Sequence, residues 1–315
     1  MDHGRTTISV VVPFYNEAAG VEAFFARLFS VADAMPDYEF DVVAVNDGST
    51  DVTLARLLEA RERHGRIHIV DLSRNFGKEA ALSAGLDRAR GEAVIPIDSD
   101  LQHPPELIPD MIRRWRAGAE VVLARRNDRV TDGPLQKFAA GMFYRMHNVI
   151  AETKIPPDVG DFRLMSQEVV EVLRGMPENR RFMKGLFAWV GFRSEVIPYD
   201  VAPRLEGKSR FNVWKLWNFA LEGITSFSTV PLRVWTYIGA VTSLLALVYA
   251  AYIVIKTIFF GTDLPGYASL MVGVLLLGGI QLIGIGVLGE YIGRIYGEVK
   301  RRPVYVVRKE FTVER

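Results

Sequence analysis

The chain has 315 residues, enough for one large domain or two modest ones, and its 49% hydrophobic and 24% charged residues are the proportions of an ordinary folded protein. A net charge of +1 gives no sign of the concentrated basic face that a nucleic-acid binder needs, so no nucleic-acid partner is expected. With no cysteine, disulfides, thiolate metal sites and a cysteine nucleophile are excluded.

Residues 1–7 are polar and the apolar run after them is short, so no signal peptide is expected and the catalytic part is expected to stay unexported. Residues 8–12 form a run rich in Ile and Val, closed by Pro13, which predicts a strand and then a loop. Val21, Phe24, Phe25, Leu28 and Phe29 recur at helical spacing. Residues 40–45 predict a second strand, and a helix runs from the capping residues Ser49, Thr50 and Asp51 to Gly65. A third strand at 67–72 precedes a helix at 78–90, stopped by Gly91. A fourth strand at 93–97 precedes a helix opened by Pro104 and Pro105 and ending near Gly118; a fifth strand follows at 120–124. Strands alternating with helices predict an α/β domain whose mainly parallel sheet is covered on both faces. Ligands of such sheets bind beyond the carboxyl ends of the strands.

Residues 132–210 read as mixed and loop-rich, with helical stretches near 138–150 and 167–174. Residues 211–227 are aromatic and amphipathic, with Phe211, Trp214, Trp217 and Phe219 around Lys215. Such a stretch before a membrane span predicts a helix in the interface; an ordinary packed surface helix is the alternative. Residues 234–255 and 264–289 hold no charged side chain, and each run reaches the roughly 20 residues needed to cross a bilayer. Two buried helices of a soluble core are the alternative, but soluble helices of this length usually keep a polar stripe. Arg233 precedes the first run, and Arg294, Lys300, Arg301 and Arg302 follow the second, while the connecting loop is nearly neutral. The positive-inside rule then places both termini in the cytoplasm. The predicted organisation is a catalytic domain at 1–210, an interfacial segment at 211–232, two transmembrane helices at 233–290 and a basic cytoplasmic tail at 291–315.

Three polar loops fall on one predicted sheet edge. Asp98-Ser99-Asp100 ends the fourth strand, where two carboxylates can converge on a hard cation that also bridges substrate phosphates. Gln102 and His103 sit near any such ion. As a solvated turn the same tripeptide is commonplace. Asn46-Asp47-Gly48-Ser49-Thr50-Asp51 follows the second strand; Asp47 can accept hydrogen bonds from a base or ribose, and the helix start favours anions. A plain helix cap would use the same residues. Pro13-Phe14-Tyr15-Asn16-Glu17 follows the first strand, with a simple loop as its bland reading.

These segments, with Asn75-Phe76-Gly77-Lys78, resemble family 2 glycosyltransferases of the GT-A fold. The segments at 160–165, 181–186, 204–211 and 225–233, followed by two apolar runs, resemble the polyprenyl-phosphate branch of that family, which includes dolichol-phosphate mannosyltransferases and bacterial undecaprenyl-phosphate glucosyltransferases. The resemblance covers essentially the whole chain. It implies a nucleotide-sugar donor, a polyprenyl phosphate acceptor, the bilayer of the cell inner membrane as a partner, and a homo-oligomer as one arrangement. It implies that Asp98 and Asp100 bind Mg²⁺ or Mn²⁺ with Gln102 completing the shell. Pro13, Tyr15, Glu17 and Asp47 would hold the nucleoside. Arg126, and less closely Arg129, would face phosphate, and Asp161 would lie near the acceptor. Arg204, Lys208, Ser209 and Arg210 match a mobile basic segment that closes on phosphates. Asn46 departs from the family, where an acidic residue is frequent; little consequence is expected.

A lipid phosphate is already anionic, so positioning and charge management would carry the reaction. The metal, with Arg204 or Lys208, would stabilise the leaving diphosphate, Arg126 would steer the acceptor, and a single in-line displacement would invert the sugar. Asp161 is either a general base or an orienting group. Glucose from UDP-glucose is the favoured donor; mannose and N-acetylhexosamine donors stay open. The rivals are a transferase that extends a glycan chain and a non-catalytic nucleotide-sugar-binding membrane scaffold.

Overall fold

A computed structural model describes residues 5–126, 159–176, 178, 183–200, 230–260 and 266–312. The first half follows the predicted alternation: β1 (Thr6–Phe14), α1 (Val21–Asp33), β2 (Tyr38–Asn46), α2 (Thr53–His64), β3 (Ile67–Leu72), α3 (Lys78–Leu86) and β4 (Ala93–Pro96). A 3₁₀ turn, Pro105–Leu107, leads into α4 (Ile108–Arg116), followed by β5 (Val121–Arg126). Then come β6 (Val159–Ser166), α5 (Gln167–Gly175), α6 (Met183–Trp189), β7 (Ser194–Tyr199), α7 (Val230–Phe260), α8 (Tyr267–Val299) and β8 (Val307–Phe311). The helical stretch expected at 138–150 and the interfacial segment, but for its last residues, lie outside the described residues.

The strands form one sheet in the order β7-β5-β6-β4-β1-β2-β3-β8. Its centre is parallel, β4 beside β1, β1 beside β2 and β2 beside β3. Val10, Val11 and Val12 run without a polar break because both faces are covered. Val10 and Val12 face the core under α1, α2 and α4, with Phe24, Phe25, Leu57 and Met111. Val11 faces the opposite core, with Leu82 of α3, Val170 of α5 and Leu186 of α6. Gly65 ends α2 in the left-handed conformation, φ 66°, which a residue without Cβ adopts freely.

The sheet departs from the parallel pattern on both sides. β6 runs antiparallel to β4 and β5, and β8 antiparallel to β3. β6, β7 and α6 fall in the stretch read as loop-rich, and β8 in the basic tail. Strand β8 is fastened by side chains as well as by its ladder. Arg88 donates to Glu310 at 2.8 Å and to the Tyr305 hydroxyl at 2.9 Å, and Tyr305 donates to Asp87 at 2.6 Å. The hydrogen bond from Arg88 holds Glu310 below the usual carboxylate value, more than burial raises it. A carboxylate lowered in the folded state adds stability above its unfolded pKa and loses it as pH falls through the folded one. Glu310→Gln is therefore expected to speed amide exchange across β8 at pH 7, and the unaltered protein to show the same loosening below about pH 4. Equal exchange in both proteins at both pH values would rule this fastening out.

The described apolar side chains of α7 and α8 are largely uncovered, with Leu245 64% and Leu282 70% exposed. The described part of the chain therefore does not bury them as core helices. Within α8, Leu276–Val299 is long and apolar enough to cross a bilayer; in α7 the apolar run Tyr237–Ile253 is shorter. The helices meet where Gly284 faces the ring of Trp235, 3.6 Å from a Cβ built there.

Candidate functional site

Parallel pairing brings the carboxyl ends of β1, β2 and β4 to one edge, so the three polar loops become neighbours. The loop after β1 is tied to the loop after β2. The Asn16 amide donates to Ser49 Oγ at 3.0 Å, the Glu17 amide to Thr53 Oγ1 at 3.0 Å, and Asn16 Oδ1 accepts from the Thr50 amide at 2.8 Å. Asn16 pays the left-handed conformation, φ 53°, which its residue type tolerates. Tyr15 and Glu17 stay exposed and Pro13 half-buried at this edge.

Asp47 is buried and spans to a third loop. Its carboxylate accepts from the Phe76 amide at 2.8 Å and the Gly77 amide at 3.0 Å. Burial raises its pKa, although both amides and Arg74 act the other way. The side chain expected to meet a nucleoside thus also ties the loop after β2 to the loop after β3. Gly48 has φ 61°, and a Cβ there would lie 2.2 Å from the Arg74 carbonyl carbon. Asn46 donates to Asp71 at 2.7 Å inside the core. An acidic residue at 46 would set two buried carboxylates against each other, so the amide has a defined task here that the sequence did not disclose.

After β4, Leu101 takes the left-handed conformation, φ 56°, a cost of about 1–2 kcal/mol for a residue with a Cβ. The turn lets the Gln102 amide donate to Asp100 Oδ1 at 3.1 Å. Asp98 is gripped from two sides: Lys78 Nζ lies 2.6 Å from Oδ1 and His103 Nε2 3.4 Å from Oδ2. Lys78 Nζ lies equally close, 2.6 Å, to Asp161 Oδ2. The antiparallel register explains this meeting. Ala93 pairs with Ser166 and Val94 with Met165, and continuing that count sets Asp161 opposite Asp98. Burial alone would raise the Asp98 pKa; Lys78, then His103, outweigh it and hold the carboxyl well below the usual range. Burial would lower the Lys78 pKa; Asp98 and Asp161 outweigh it and hold the ammonium above its usual value. Asp161 Oδ1 is buried with no hydrogen-bond partner among the described residues.

His103 Nδ1 lies 2.6 Å from the Tyr199 hydroxyl. Burial pushes that hydroxyl up to about 12, against the opposing influence of Arg126. The ring is thus held between the Tyr199 hydroxyl at Nδ1 and the Asp98 carboxylate at Nε2. Arg126 ends β5 in register with Tyr199 and interacts with its hydroxyl, while its Nε is buried with no partner among the described residues. Arg163 lies on the same strand face as Asp161. It donates to the Gly160 carbonyl at 2.6 Å, covers the Phe187 ring at 3.9 Å, and is brought down to about 10 by burial.

The edge therefore gathers Pro13, Tyr15, Glu17, Asp47, Asp98, Asp100, Gln102, Arg126 and Asp161, all expected from the sequence. Arg129, Arg204, Lys208, Ser209 and Arg210 lie outside the described residues. Lys78 and Tyr199 were given no role by the sequence reading, although Lys78 opens a helix directly after a strand-end loop.

The donor set suits an oxygen-seeking divalent ion. Asp98 and Asp100 supply carboxylates, and Asp161 Oδ1 meets no hydrogen-bond partner among the described residues. Among the described residues no three His, Cys, Asp or Glu side chains form a cage. Such a set fits an ion that fills its shell with water and substrate phosphate, as Mg²⁺ does.

A family model described as "Glycosyl transferase family 2" matches residues 9–174, and one described as "GtrB C-terminal hairpin" matches residues 230–295. The chain is 53% identical over 302 residues to an SfII prophage-derived bactoprenol glucosyl transferase of Shigella flexneri, covering 96% of this chain and 97% of that protein. It is 51% identical over 302 residues to a prophage bactoprenol glucosyl transferase homolog of Escherichia coli strain K12, covering 96% and 98%. The mannosyltransferase PcManGT from Pyrobaculum calidifontis, solved with GDP-Man and Mn²⁺, shares the fold at TM-score 0.50 and 21% identity, over 91% of this chain and 87% of that one.

Proposed function

The chain belongs to glycosyl transferase family 2 and carries a GtrB C-terminal hairpin, and from that premise we propose that it transfers one sugar from a nucleotide-sugar to a polyprenyl phosphate, with inversion and with UDP-glucose as the favoured donor. The observation that carries this reading is the acidic edge of Asp98, Asp100 and Asp161 in a chain matched nearly end to end by bactoprenol glucosyl transferases. In the reaction a lipid phosphate oxygen bonds to the anomeric carbon as the bond to the nucleoside diphosphate breaks. The attacking group is already an anion, so no base is needed to remove a proton.

Pro13, Tyr15 and Glu17 line the nucleoside side, and Asp47 fixes the walls there through the Phe76 and Gly77 amides. Asp98, Asp100 and Gln102 would hold Mg²⁺ or Mn²⁺, whose charge neutralises the departing diphosphate. Arg126 steers the acceptor phosphate, since a guanidinium suits bidentate phosphate contact. Asp161, ion-paired to Lys78, orients groups at the acceptor side and takes no proton. Arg204 and Lys208 close on the leaving group, with Ser209 and Arg210 beside them. Both helices of the hairpin cross the inner membrane and leave the catalytic domain and both termini on the cytoplasmic side. A polyprenyl chain leaves the bilayer at a cost of about 0.8 kcal/mol per CH₂, so the enzyme must come to the surface where the phosphate emerges.

The test offers the full chain, in detergent or vesicles, a panel of nucleotide-sugars with a short polyprenyl phosphate and Mg²⁺ or Mn²⁺, and identifies products by mass spectrometry. A hexosyl lipid from UDP-glucose is expected. Preference for another donor would overturn the sugar assignment alone; no glycolipid from any donor would overturn the function.

A further inference from the structure

We propose that Lys78 is a positioning residue whose ammonium fastens Asp98, on the donor-side loop after β4, to Asp161, on the acceptor-side strand β6. This inference rests on the transferase reading given above. Three observations carry it. The ammonium is 2.6 Å from both carboxylates, so one cation closes a bridge between elements 63 residues apart in sequence. Lys78 is the first residue of α3, and the loop before it is pinned by Asp47 through Phe76 and Gly77, which sets the origin of the side chain. Two carboxylates that both reach one ammonium would repel each other without it, a repulsion that the cation between them removes. The second oxygen of Asp98 meets His103, itself held by Tyr199, so the bridge joins a line of groups from α3 to β7.

A bridge of this kind sets the separation of donor and acceptor groups. Its loss should slow the chemical step more than it weakens donor binding, because small misplacements are costly in rate. Lys78→Gln is expected to lower kcat about 100-fold with the donor KM changed less than about threefold. Lys78→Arg, which keeps the charge, is expected to recover at least a tenth of the wild-type rate. The deciding measurement is the double variant Lys78→Gln/Asp161→Asn. If the bridge acts as a unit, its rate loss resembles that of the worse single variant, and the Tm shifts of the two changes likewise fail to add. Rate losses that multiply and Tm shifts that add would overturn the bridge. Wild-type enzyme assayed in parallel keeps the two ideas apart: wild type that transfers no sugar to polyprenyl phosphate sinks the transferase reading, and the Tm cycle then decides the bridge by itself.

Discussion

Asp100→Asn is expected to reduce sugar transfer to polyprenyl phosphate by about 100-fold or more while the protein stays folded. Groups that stabilise charge developing in a transition state are worth about 10²–10³ in rate when removed singly. Asp100 is placed for that by an unfavourable turn: Leu101 holds a left-handed backbone, and the Gln102 amide fixes one carboxylate oxygen. Asparagine keeps the size and one acceptor oxygen but removes the negative charge that a divalent ion requires. The measurement is the initial rate at saturating donor across a Mn²⁺ series, with Mn²⁺ binding followed separately by electron paramagnetic resonance. Both are expected to fail together. Transfer at the wild-type rate by Asp100→Asn would remove the metal from this edge. Asp98→Asn is a less clean probe, because it also releases Lys78 and His103.

Gly48→Ala is expected to be a strongly damaging single-methyl change in the loop after β2. The added Cβ would lie 2.2 Å from the Arg74 carbonyl carbon and 2.5 Å from the Asn75 nitrogen, and backbone atoms yield far less readily than a side-chain tip. The left-handed φ of 61° adds about 1–2 kcal/mol for any residue with a Cβ, and overpacking typically about 1–3 kcal/mol more. A loss of about 2–5 kcal/mol corresponds to a fall in Tm of roughly 5–15 °C in a domain of this size. The same displacement would pull the Phe76 and Gly77 amides from Asp47, so donor KM should rise as well. A variant that melts with wild type and binds donor equally well would show that the loops after β2 and β3 are not locked in this way.

That these loops share one sheet edge was legible because parallel strands carry a loud signal. Val10, Val11 and Val12, then the Val-rich β2 and the short β4, can be continuously apolar only where helices cover both faces. Once the sheet is parallel, the loops after its strands must share an edge, so Asp47 and Asp98 were placed together by periodicity alone. Beyond β5 the signal fades. Strand β7 carries Glu195 and Pro198 among exposed or half-buried positions, and β8 reads as a basic tail because the adjacent Arg308 and Lys309 are both exposed. Such edge strands are held by partners far away in sequence, as Arg88 holds Glu310, and a local window contains no trace of those partners.

The amino-acid sequence by itself determined an α/β domain, two long apolar helices after it, and the acidic and polar loops at the strand ends, since these follow from short-range periodicity and turn chemistry. Only the tertiary structure decided that Asp161 faces Asp98, that Lys78 stands between them, and that Tyr199 holds His103. The physical reason is that antiparallel insertion of β6 beside β4 is a choice of pairing and register between distant segments, made by the fit of the whole core and written in no single stretch of chain.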